Sequence, residues 1–268
     1  MNAPASAAVL DEPFVLLNVA DGLATLTLNR GDRFNPLSAG MIAALSGALD
    51  TIAKDDAVRA VVLAANGRGF CAGHDLKELR AHPDEAWQKK LFADCGELML
   101  KIVRLPQPVI ARVHGIATAA GCQLTSMCDL AVAADDARFA LPGVNIGLFC
   151  STPAVGVARN INRKRAMEML LTGDLIDART ALDWGLVNRV VPAAELDAEI
   201  RKFSDAIQSK SAAAVALGKE VFYQQLDLDL PHAYALAGAT MTCNMQTEDA
   251  AEGIDAFIAK RKPVWKGR

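Results

Sequence analysis

Residues 60–79 read AVVLAANGRGFCAGHDLKEL, an apolar run followed by a loop with three glycines and then a charged segment. The run Ala60 to Ala65 has the length and composition of a buried β-strand. The charged residues after Gly73 predict a polar helix that continues to Val103. A strand that enters a helix through such a loop leaves free main-chain N–H groups at the helix start, where they can face an anion.

A second strand-loop-helix unit follows. Pro106 and Pro108 indicate the end of the preceding helix, and the apolar strand Val109 to Val113 follows them. The small-residue loop His114 to Ala119 then leads into a helix that begins near Ala120. Two such junctions that face one point can form an oxyanion hole, a pair of N–H donors for a developing negative charge. Either loop alone is weak support, because joints rich in Gly and Ala are common.

The rest of the chain predicts an α/β layer followed by helices. Further strands are predicted at Phe14–Val19, Leu23–Asn29, Leu130–Ala133 and Leu186–Val191. Helices are predicted from the cap Ser38 to about Ala53, and at Arg163–Leu171, Ala194–Gln208, Ala212–Gln225 and Ala233–Lys262. Strands that alternate with helices indicate a sheet layered by helices. We divide the chain into a loose tail (1–12), an α/β core (13–200) and a helical C-terminal part (201–268).

Composition excludes several classes of protein. The 268 residues are 52% hydrophobic and carry a net charge of -3, which gives no general attraction to nucleic acid or to anionic membranes. The six cysteines have no C-x-x-C spacing and the four histidines no H-E-x-x-H array, so we expect reduced thiols and no metal. Residues 1–9 have no basic segment of a secretory signal, and no apolar run approaches a membrane span, so we expect a soluble, cytoplasmic protein.

Both loops also resemble one protein family. Phe70–Leu79 resembles the F-C-A-G-x-D-L-K-E-x segment of the crotonase (enoyl-CoA hydratase/isomerase) superfamily, and Pro108–Leu124 resembles its P-V-I-A-x-V-x-G-x-x-x-G-G-G-x-E-L segment. The similarity extends to Leu26–Arg30, Asn35–Leu37, Glu168–Gly173, Gly185–Val187 and Phe257–Lys262. It implies the α/β ClpP/crotonase fold, a spiral of ββα units whose helical C-terminal region covers coenzyme A and forms a homotrimer or a dimer of trimers.

The resemblance also assigns a ligand and the residues that bind it. Family members hold the oxygen of an acyl-CoA thioester of fatty-acid metabolism, with no prosthetic group, between two main-chain amides; in this sequence these belong to His74 and Ala120. Coenzyme A would lie against Arg33, Phe34, Ala72, Asp75, Leu76 and Lys77, with Phe257 and Lys260 commonly coming from a neighbouring subunit. Asp32 stands where many relatives have lysine, which removes one contact to phosphate.

The sequence departs from the hydratase pattern at both catalytic glutamates. Gln123 stands in the first position and Gly143, after Pro142, in the second. An amide cannot exchange a proton at neutral pH, and glycine has no side chain. General acid–base help of roughly 10²–10⁴ per group implies a loss of ~5–11 kcal/mol, although such effects do not add simply. We therefore expect very little hydratase (lyase) activity, as in a branch of the family that lacks both glutamates.

Three functions remain open at this stage. The first is an acyl-CoA enzyme that uses another catalytic group: Cys150 or Ser151, which lie where the family lines the acyl end, or the ring of His74, which we expect to be an exposed imidazole at the rim. The second is an acyl-CoA binding protein without turnover. The third is a Cys150-dependent thioesterase, although a buried thiol without an activating base is the simpler interpretation.

Overall fold

The computed structural model describes residues 12–268, so the predicted tail 1–12 lies almost wholly outside the described residues. The strands are β1 (Val15–Ala20), β2 (Leu23–Leu28), β3 (Ala60–Ala65), β4 (Val109–Val113), β5 (Ile116–Thr118), β6 (Leu130–Ala134), β7 (Arg138–Ala140), β8 (Ile176–Asp177) and β9 (Arg189–Val191). The helices are α1 (Ala39–Ile52), α2 (Leu76–Ala81), α3 (Glu85–Arg104), α4 (Ala120–Met127), α5 (Ser151–Asn160), α6 (Arg163–Thr172), α7 (Ala178–Trp184), α8 (Leu196–Gln208), α9 (Ala212–Gln225), α10 (Leu230–Met245) and α11 (Glu248–Ile258).

The main sheet has six strands in the order β1-β2-β3-β4-β6-β9. The first pair is the predicted antiparallel hairpin, and all other neighbours run parallel. Strand β3 is buried along its whole length because both of its faces are covered. Its residues Val61 and Leu63 belong to the larger core with α1 and α3, whereas Val62 and Ala64 pack with α8 in a smaller core. The predicted α/β layering is confirmed.

A second, small sheet contains the segment that precedes α4, and this sheet was not predicted from the sequence. Strands β5, β7 and β8 pair in this order and are only two or three residues long, too short for a periodic pattern. Strand β5 follows β4 after two residues, so the chain passes directly from the main sheet into the small one. This transition sets the direction from which α4 begins.

Two predicted helices are each divided in the structure. The segment before Val103 forms α2 and α3, since Pro83 cannot continue a helix and Asp84 caps α3 by accepting a hydrogen bond from the N–H of Trp87. Similarly, 233–262 forms α10 and α11, because Thr247 accepts from the N–H of Ala250 and starts a new helix. Both breaks occur at a capping residue inside an otherwise helical pattern.

The C-terminal helices are attached to the core by polar contacts more than by apolar burial. Helix α9 has no buried residue and α10 has one, Ala233. The ammonium group of Lys219 on α9 reaches Asp129 of the core at 2.7 Å, and the hydroxyl of Tyr223 donates to the same carboxylate at 2.9 Å. Further along, the indole N–H of Trp265 donates to the carbonyl of Ser209. The predicted division at residue 200 stays a prediction.

Within residues 12–268, none of the helices combines the length and the apolar composition that a bilayer crossing requires. Over the same range, no cluster of three His, Cys, Asp or Glu side chains has metal-binding geometry. Five cysteines are buried and Cys243 is exposed, all of them as free thiols.

Candidate active site

The two predicted loops lie side by side, joined by main-chain hydrogen bonds. The N–H of Phe70 donates to the carbonyl of His114 at 2.9 Å, that of Cys71 to Ile116 at 3.1 Å, and that of Thr118 back to Cys71 at 2.9 Å. These are the contacts of a short parallel strand pair, with Cys71 opposite Ala117. Hydrogen bonding between the loops therefore brings the starts of α2 and α4 to the same place.

The two junctions lie close together at Gly73 and Ala120. A Cβ atom built on Gly73 would lie 3.4 Å from the amide nitrogen of Ala120 and 2.9 Å from the Cβ of Ala119. Gly73 also has φ +100°, a conformation that glycine adopts at little cost. Among the described residues, no acceptor receives the N–H of His74 or that of Ala120. Two adjacent junctions thus each have a main-chain donor available.

Ala119 directs the first amide of α4 through an unusual backbone conformation. Its φ of 50° and ψ of -119° lie outside the regions that L-residues favour, and its own N–H donates to the carbonyl of Ala140 at 2.9 Å. Such outliers cost on the order of 1–3 kcal/mol and cluster at functional sites. The hydrogen bond to β7 holds Ala119 in this conformation, so the small sheet fixes where the Ala120 amide points.

The His74 ring is half-buried, which corrects the expectation of an exposed imidazole at the rim. Its Nδ1 lies 3.0 Å from the carbonyl oxygen of Leu37, and its edge meets Phe92 with ring centroids 5.4 Å apart. Nε2 is enclosed and has no partner among the described atoms. Burial lowers the pKa of the ring, and the Leu37 carbonyl and Glu78 oppose this shift only in part. The ring is therefore neutral at pH 7.

Gln123, predicted to stand in the position of the first hydratase glutamate, lies one turn into α4. It is buried, and its Oε1 has no hydrogen-bond partner among the described atoms. Its main-chain N–H donates to the carbonyl of Ala119, as the first turn of a helix requires. A buried amide oxygen without a donor is unfavourable by ~1–3 kcal/mol, and such atoms are uncommon in folded proteins.

Gly143, predicted to stand in the position of the second glutamate, is closely surrounded. A Cβ atom built there would lie 3.0 Å from Cys150 Sγ and 3.0 Å from the carbonyl oxygen of Leu148. The sulfur already accepts the N–H of Gly143 at 3.3 Å, and burial raises the pKa of the thiol despite that hydrogen bond. The neutral, hydrogen-bonded Cys150 is a poor nucleophile. Ser151 is exposed and its hydroxyl lies 3.4 Å from the carbonyl of Phe149, with no base beside it in the described residues.

The residues predicted to hold the nucleotide end of coenzyme A form two groups. In the first, the N–H of Ala72 donates to the carbonyl of Phe34 at 2.9 Å, and the guanidinium of Arg68 lies over the Phe34 ring at 4.9 Å. Arg33 is exposed and its nearest acid is Asp32 at 3.5 Å. An exposed arginine beside an aromatic ring is suited to bind a phosphate group near adenine. The negative charge of Asp32 would weaken this binding.

The second group lies at helix ends. Asp75 caps α2 by accepting the N–H groups of Lys77 and Glu78, and the side chains of Leu76 and Lys77 are exposed. Phe257 is 85% exposed near the end of α11, and Lys260 follows with φ 53°. Helix α11 packs against α9 and α10, so the place of these last two residues over a nucleotide stays a prediction.

Comparison with known proteins decides the family. The family model described as Enoyl-CoA hydratase/isomerase matches residues 18–268, nearly all of the described chain. The chain belongs to this family. Proteins of the enoyl-CoA hydratase/isomerase, or crotonase, family act on CoA thioesters without a prosthetic group, and this chain is an enoyl-CoA hydratase-like member.

Several family members are similar over most of their length. The crystal structure of an enoyl-CoA hydratase from Mycobacterium smegmatis is 58% identical, with a TM-score of 0.93 over 95% of this chain and 99% of that one. The human enoyl-CoA hydratase domain-containing protein 3 is 44% identical, with a TM-score of 0.92 over 94% of this chain and 100% of that one. The mouse mitochondrial protein of the same name is 46% identical over 245 residues, 91% of this chain and 82% of its own.

These comparisons confirm the crotonase resemblance and the fold, and they correct the location. The mouse, rat and human relatives are named mitochondrial, which contradicts the cytoplasmic location expected from the sequence. That expectation was wrong because the features used for it do not distinguish the cytoplasm from an organelle.

Sequence reasoning missed the residues that orient the predicted ones. Leu37 and Phe92 hold the His74 ring, and each is distant from it in sequence. The strained Ala119 had a detectable signal, because the family pattern has glycine where this chain has alanine before the α4 amide. The carbonyl of Leu148, which limits the space at Gly143, had no detectable signal in the sequence.

Proposed function

We propose that this chain binds acyl-CoA thioesters, with the carbonyl oxygen between the N–H groups of His74 and Ala120. The observation that supports this most directly is the approach of the two junctions, with the position of a Gly73 Cβ only 3.4 Å from the Ala120 nitrogen. Preorganised main-chain donors stabilise charge that develops on a thioester oxygen, typically the largest single term in such catalysis. The substrates would be thioesters of fatty-acid metabolism.

The reaction is one other than efficient hydration. Gln123 and Gly143 supply no carboxylate, and a Cβ atom at position 143 would lie only 3.0 Å from Cys150 Sγ and from the Leu148 carbonyl. A Cys150-dependent thioesterase is disfavoured, because the thiol is neutral and its sulfur already accepts a hydrogen bond. The same missing carboxylates favour, as the second candidate, an acyl-CoA binding protein that does not turn its ligand over.

For coenzyme A itself, we propose contacts with Arg33, Phe34, Ala72, Asp75, Leu76 and Lys77, completed by Phe257 and Lys260. Exposed cations and an exposed aromatic ring suit a phosphate-bearing adenine nucleotide. The large exposed apolar side chains of α9 to α11, such as Phe222, Tyr234 and Ile258, support an oligomer through residues 201–268. We expect a homotrimer or a dimer of trimers by analytical ultracentrifugation; a monomer at micromolar concentration would contradict this.

The test compares a thioester with its carbonyl-free analogue. Isothermal titration with butyryl-CoA and with S-butyl-CoA, a thioether, isolates the oxygen contact, since the ligands otherwise match. Two N–H hydrogen bonds of ~0.5–1.5 kcal/mol each predict a thioester affinity roughly 5- to 150-fold higher. Equal affinities would overturn the proposal. Product analysis after long incubation then separates an enzyme from a binding protein.

A matched pair of variants locates this contact. Gly73→Ala places a methyl group against Ala119 and near the Ala120 nitrogen, so it should remove the preference for the thioester. Gly96→Ala on α3 is the control, because a Cβ atom there has no neighbour within 4 Å. Circular dichroism and melting of both variants check that the fold is retained. Retention of the preference in a folded Gly73→Ala variant would contradict the assignment of the two amides.

A further inference from the structure

The two edge strands of the main sheet differ in how they are protected from other chains. Strand β9, at one edge, is only three residues long, begins with the charged Arg189 and is followed by Pro192. Short length, charged side chains and proline are features that keep a sheet edge from pairing with another chain. Strand β1, at the other edge, has six residues and reads VLLNVA, without a charge or a proline. Strand β1 therefore lacks these protections.

The hairpin between β1 and β2 determines which main-chain groups of β1 are already used. The turn has two residues, 21 and 22, both with positive φ, so Ala20 and Leu23 form a hydrogen-bonded pair. Every second residue before Ala20 then also bonds to β2. The N–H of Asn29 donates to the carbonyl of Phe14 at 2.8 Å, which agrees with this alternation. The even-numbered residues of β1 thus face β2.

The odd-numbered residues of β1 direct their main-chain groups outward. The N–H and C=O groups of Val15, Leu17 and Val19 point away from β2, and none of them has a partner among residues 12–268. This outward row stops at both ends. The carbonyl of Pro13 already accepts from the side chain of Arg30 at 3.0 Å, and the hairpin turn follows the strand. The row is therefore three residues long and symmetric about Leu17.

The side chains of β1 suit a second strand of the same sequence. Leu16, Leu17 and Val19 are 40%, 41% and 44% exposed. In an antiparallel pair about a two-fold axis, Leu17 would lie opposite Leu17 of a second copy, and Val15 opposite its Val19. Each of these pairs exchanges two main-chain hydrogen bonds, so the three pairs of the row form about six. Apolar cross-strand pairs add to this stabilisation, and no like charges face each other.

We propose that β1 is a contact between two copies of this chain, paired edge to edge so that the main sheet continues from one copy into the other. A second copy fits because the outward row is self-complementary: its centre is a single residue, and every outward donor meets an outward acceptor. The pairing does not rest on thioester binding. A pair of six-residue strands is small beside the roughly 1,200–2,000 Å² of a stable interface, so the contact needs repetition. If the chain forms the trimer proposed above, three such contacts join two trimers.

Cysteine cross-linking tests this register at two neighbouring positions. Leu17→Cys and Leu16→Cys are made in a Cys243→Ser background, because Cys243 is exposed and the other five cysteines are buried. Paired Cα atoms at position 17 would lie ~5.5 Å apart, within the range of a disulfide. Position 16, equally exposed, would lie opposite Asn18 of the second copy, which puts the two copies of position 16 about 8 Å apart. That distance is too long for a disulfide.

We expect Leu17→Cys to form a covalent dimer at least about tenfold faster than Leu16→Cys, because pairing raises the effective concentration of the thiols. Both variants are incubated at micromolar concentration with oxidised glutathione and followed on non-reducing gels, after circular dichroism has shown that they are folded. A smaller ratio, or no covalent dimer from Leu17→Cys, would overturn the proposal. The same negative result is expected if the strand binds an extended segment of another protein instead of a second copy.

A charge at the same positions gives a second, independent measurement. Leu17→Lys places two ammonium groups opposite each other, so sedimentation should give half the wild-type mass. Leu16→Lys adds the same charge opposite Asn18 of the second copy and should keep the wild-type mass. An unchanged mass in Leu17→Lys, or a wild type that sediments as a single trimer or a monomer, would disprove the pairing. Thioester binding is measured separately with butyryl-CoA, so a failure of either proposal is distinguishable from a failure of the other.

Discussion

Two buried polar clusters in this molecule differ in one respect, the satisfaction of their hydrogen bonds. Lys219 donates to Asp129 at 2.7 Å, to the carbonyl of Ile102 at 2.9 Å and to that of Gln107 at 3.1 Å, so all three of its donors are used. Asp129 also accepts from Tyr223. Such a cluster has no remaining capacity for a ligand, and its effect is to fix α9 on the core.

At the candidate active site, by contrast, several polar groups lack hydrogen-bond partners among the described residues. Nε2 of His74 and Oε1 of Gln123 have no donors, and the N–H groups of His74 and Ala120 have no acceptors, among the described residues. Ala119 adds backbone strain at the same place. The Lys219 cluster fixes α9 on the core, whereas we propose that the unpaired main-chain donors at the candidate site bind a ligand.

The largest effect is expected at the satisfied cluster. Lys219→Met leaves the Asp129 carboxylate buried without its cation, which should lower the free energy of unfolding by ~3–5 kcal/mol. Urea titration measures this. Lys90→Met is the control, because its ion pair with Asp94 is largely exposed and should contribute less than ~1 kcal/mol. Equal effects of the two substitutions would refute the anchoring role of Lys219.

The next effect concerns positions 123 and 143, where we propose that the two hydratase glutamates are missing. Gly143→Glu brings a Cβ atom to 3.0 Å from Cys150 Sγ and the Leu148 carbonyl, which should destabilise the protein by ~1–3 kcal/mol. Gly218→Glu, on the open side of α9, is the control and should cost little. The Gln123→Glu, Gly143→Glu double variant should gain crotonyl-CoA hydration, and adding Cys150→Ala should increase the gain. No gain in a folded variant that binds acyl-CoA would count against the family geometry.

Relief of backbone strain at Ala119 should produce a smaller change in the free energy of unfolding, and in the opposite direction. Ala119→Gly removes the penalty of the positive φ, which exceeds the entropy that glycine adds to the unfolded chain, so stability should rise by up to ~1 kcal/mol. Ala43→Gly on the exposed side of α1 should instead cost about 1 kcal/mol. A loss of stability in Ala119→Gly would show that the backbone at Ala119 is not strained.

The smallest effect is expected at Gln123, and it sharpens the contrast with Lys219. Gln123→Leu replaces a buried amide, whose oxygen has no donor, by an apolar group of similar size, so the free energy of unfolding should change by less than ~1 kcal/mol in either direction. The measurement is the same urea titration. A decrease in the free energy of unfolding as large as that of Lys219→Met would mean that Gln123 stabilises the fold, and it would contradict a role in ligand binding.

Much of the fold was predictable because its signals are local. The buried run Ala60–Ala65, the cap Ser38 and the hairpin turn at 20–22 each appear in the structure where the sequence predicted them. The divided helices were predicted as single ones, since a capping residue such as Thr247 is weak against a long periodic pattern. Strands of two or three residues, as in the small sheet, are too short to leave a pattern.

The two loops of the candidate site were predictable from the sequence, and the surroundings of their side chains were not. The assignment of the His74 and Ala120 amides follows from the family resemblance of the two loop motifs and stays a prediction. The enclosure of the His74 ring depends on Leu37 and Phe92, which no local pattern connects to it. The sequence accordingly predicted an exposed ring where the structure has a half-buried one.

The sequence by itself determined the family, the strand-loop-helix junctions and the residue types at positions 123 and 143, since these are properties of residue type and order. Only the tertiary structure decided that Cys150 Sγ and the Leu148 carbonyl lie close to Gly143, and that Nε2 of His74 is enclosed without a partner among the described atoms. The physical reason is that burial and hydrogen-bond satisfaction depend on atoms from distant parts of the chain, which become neighbours only when it folds.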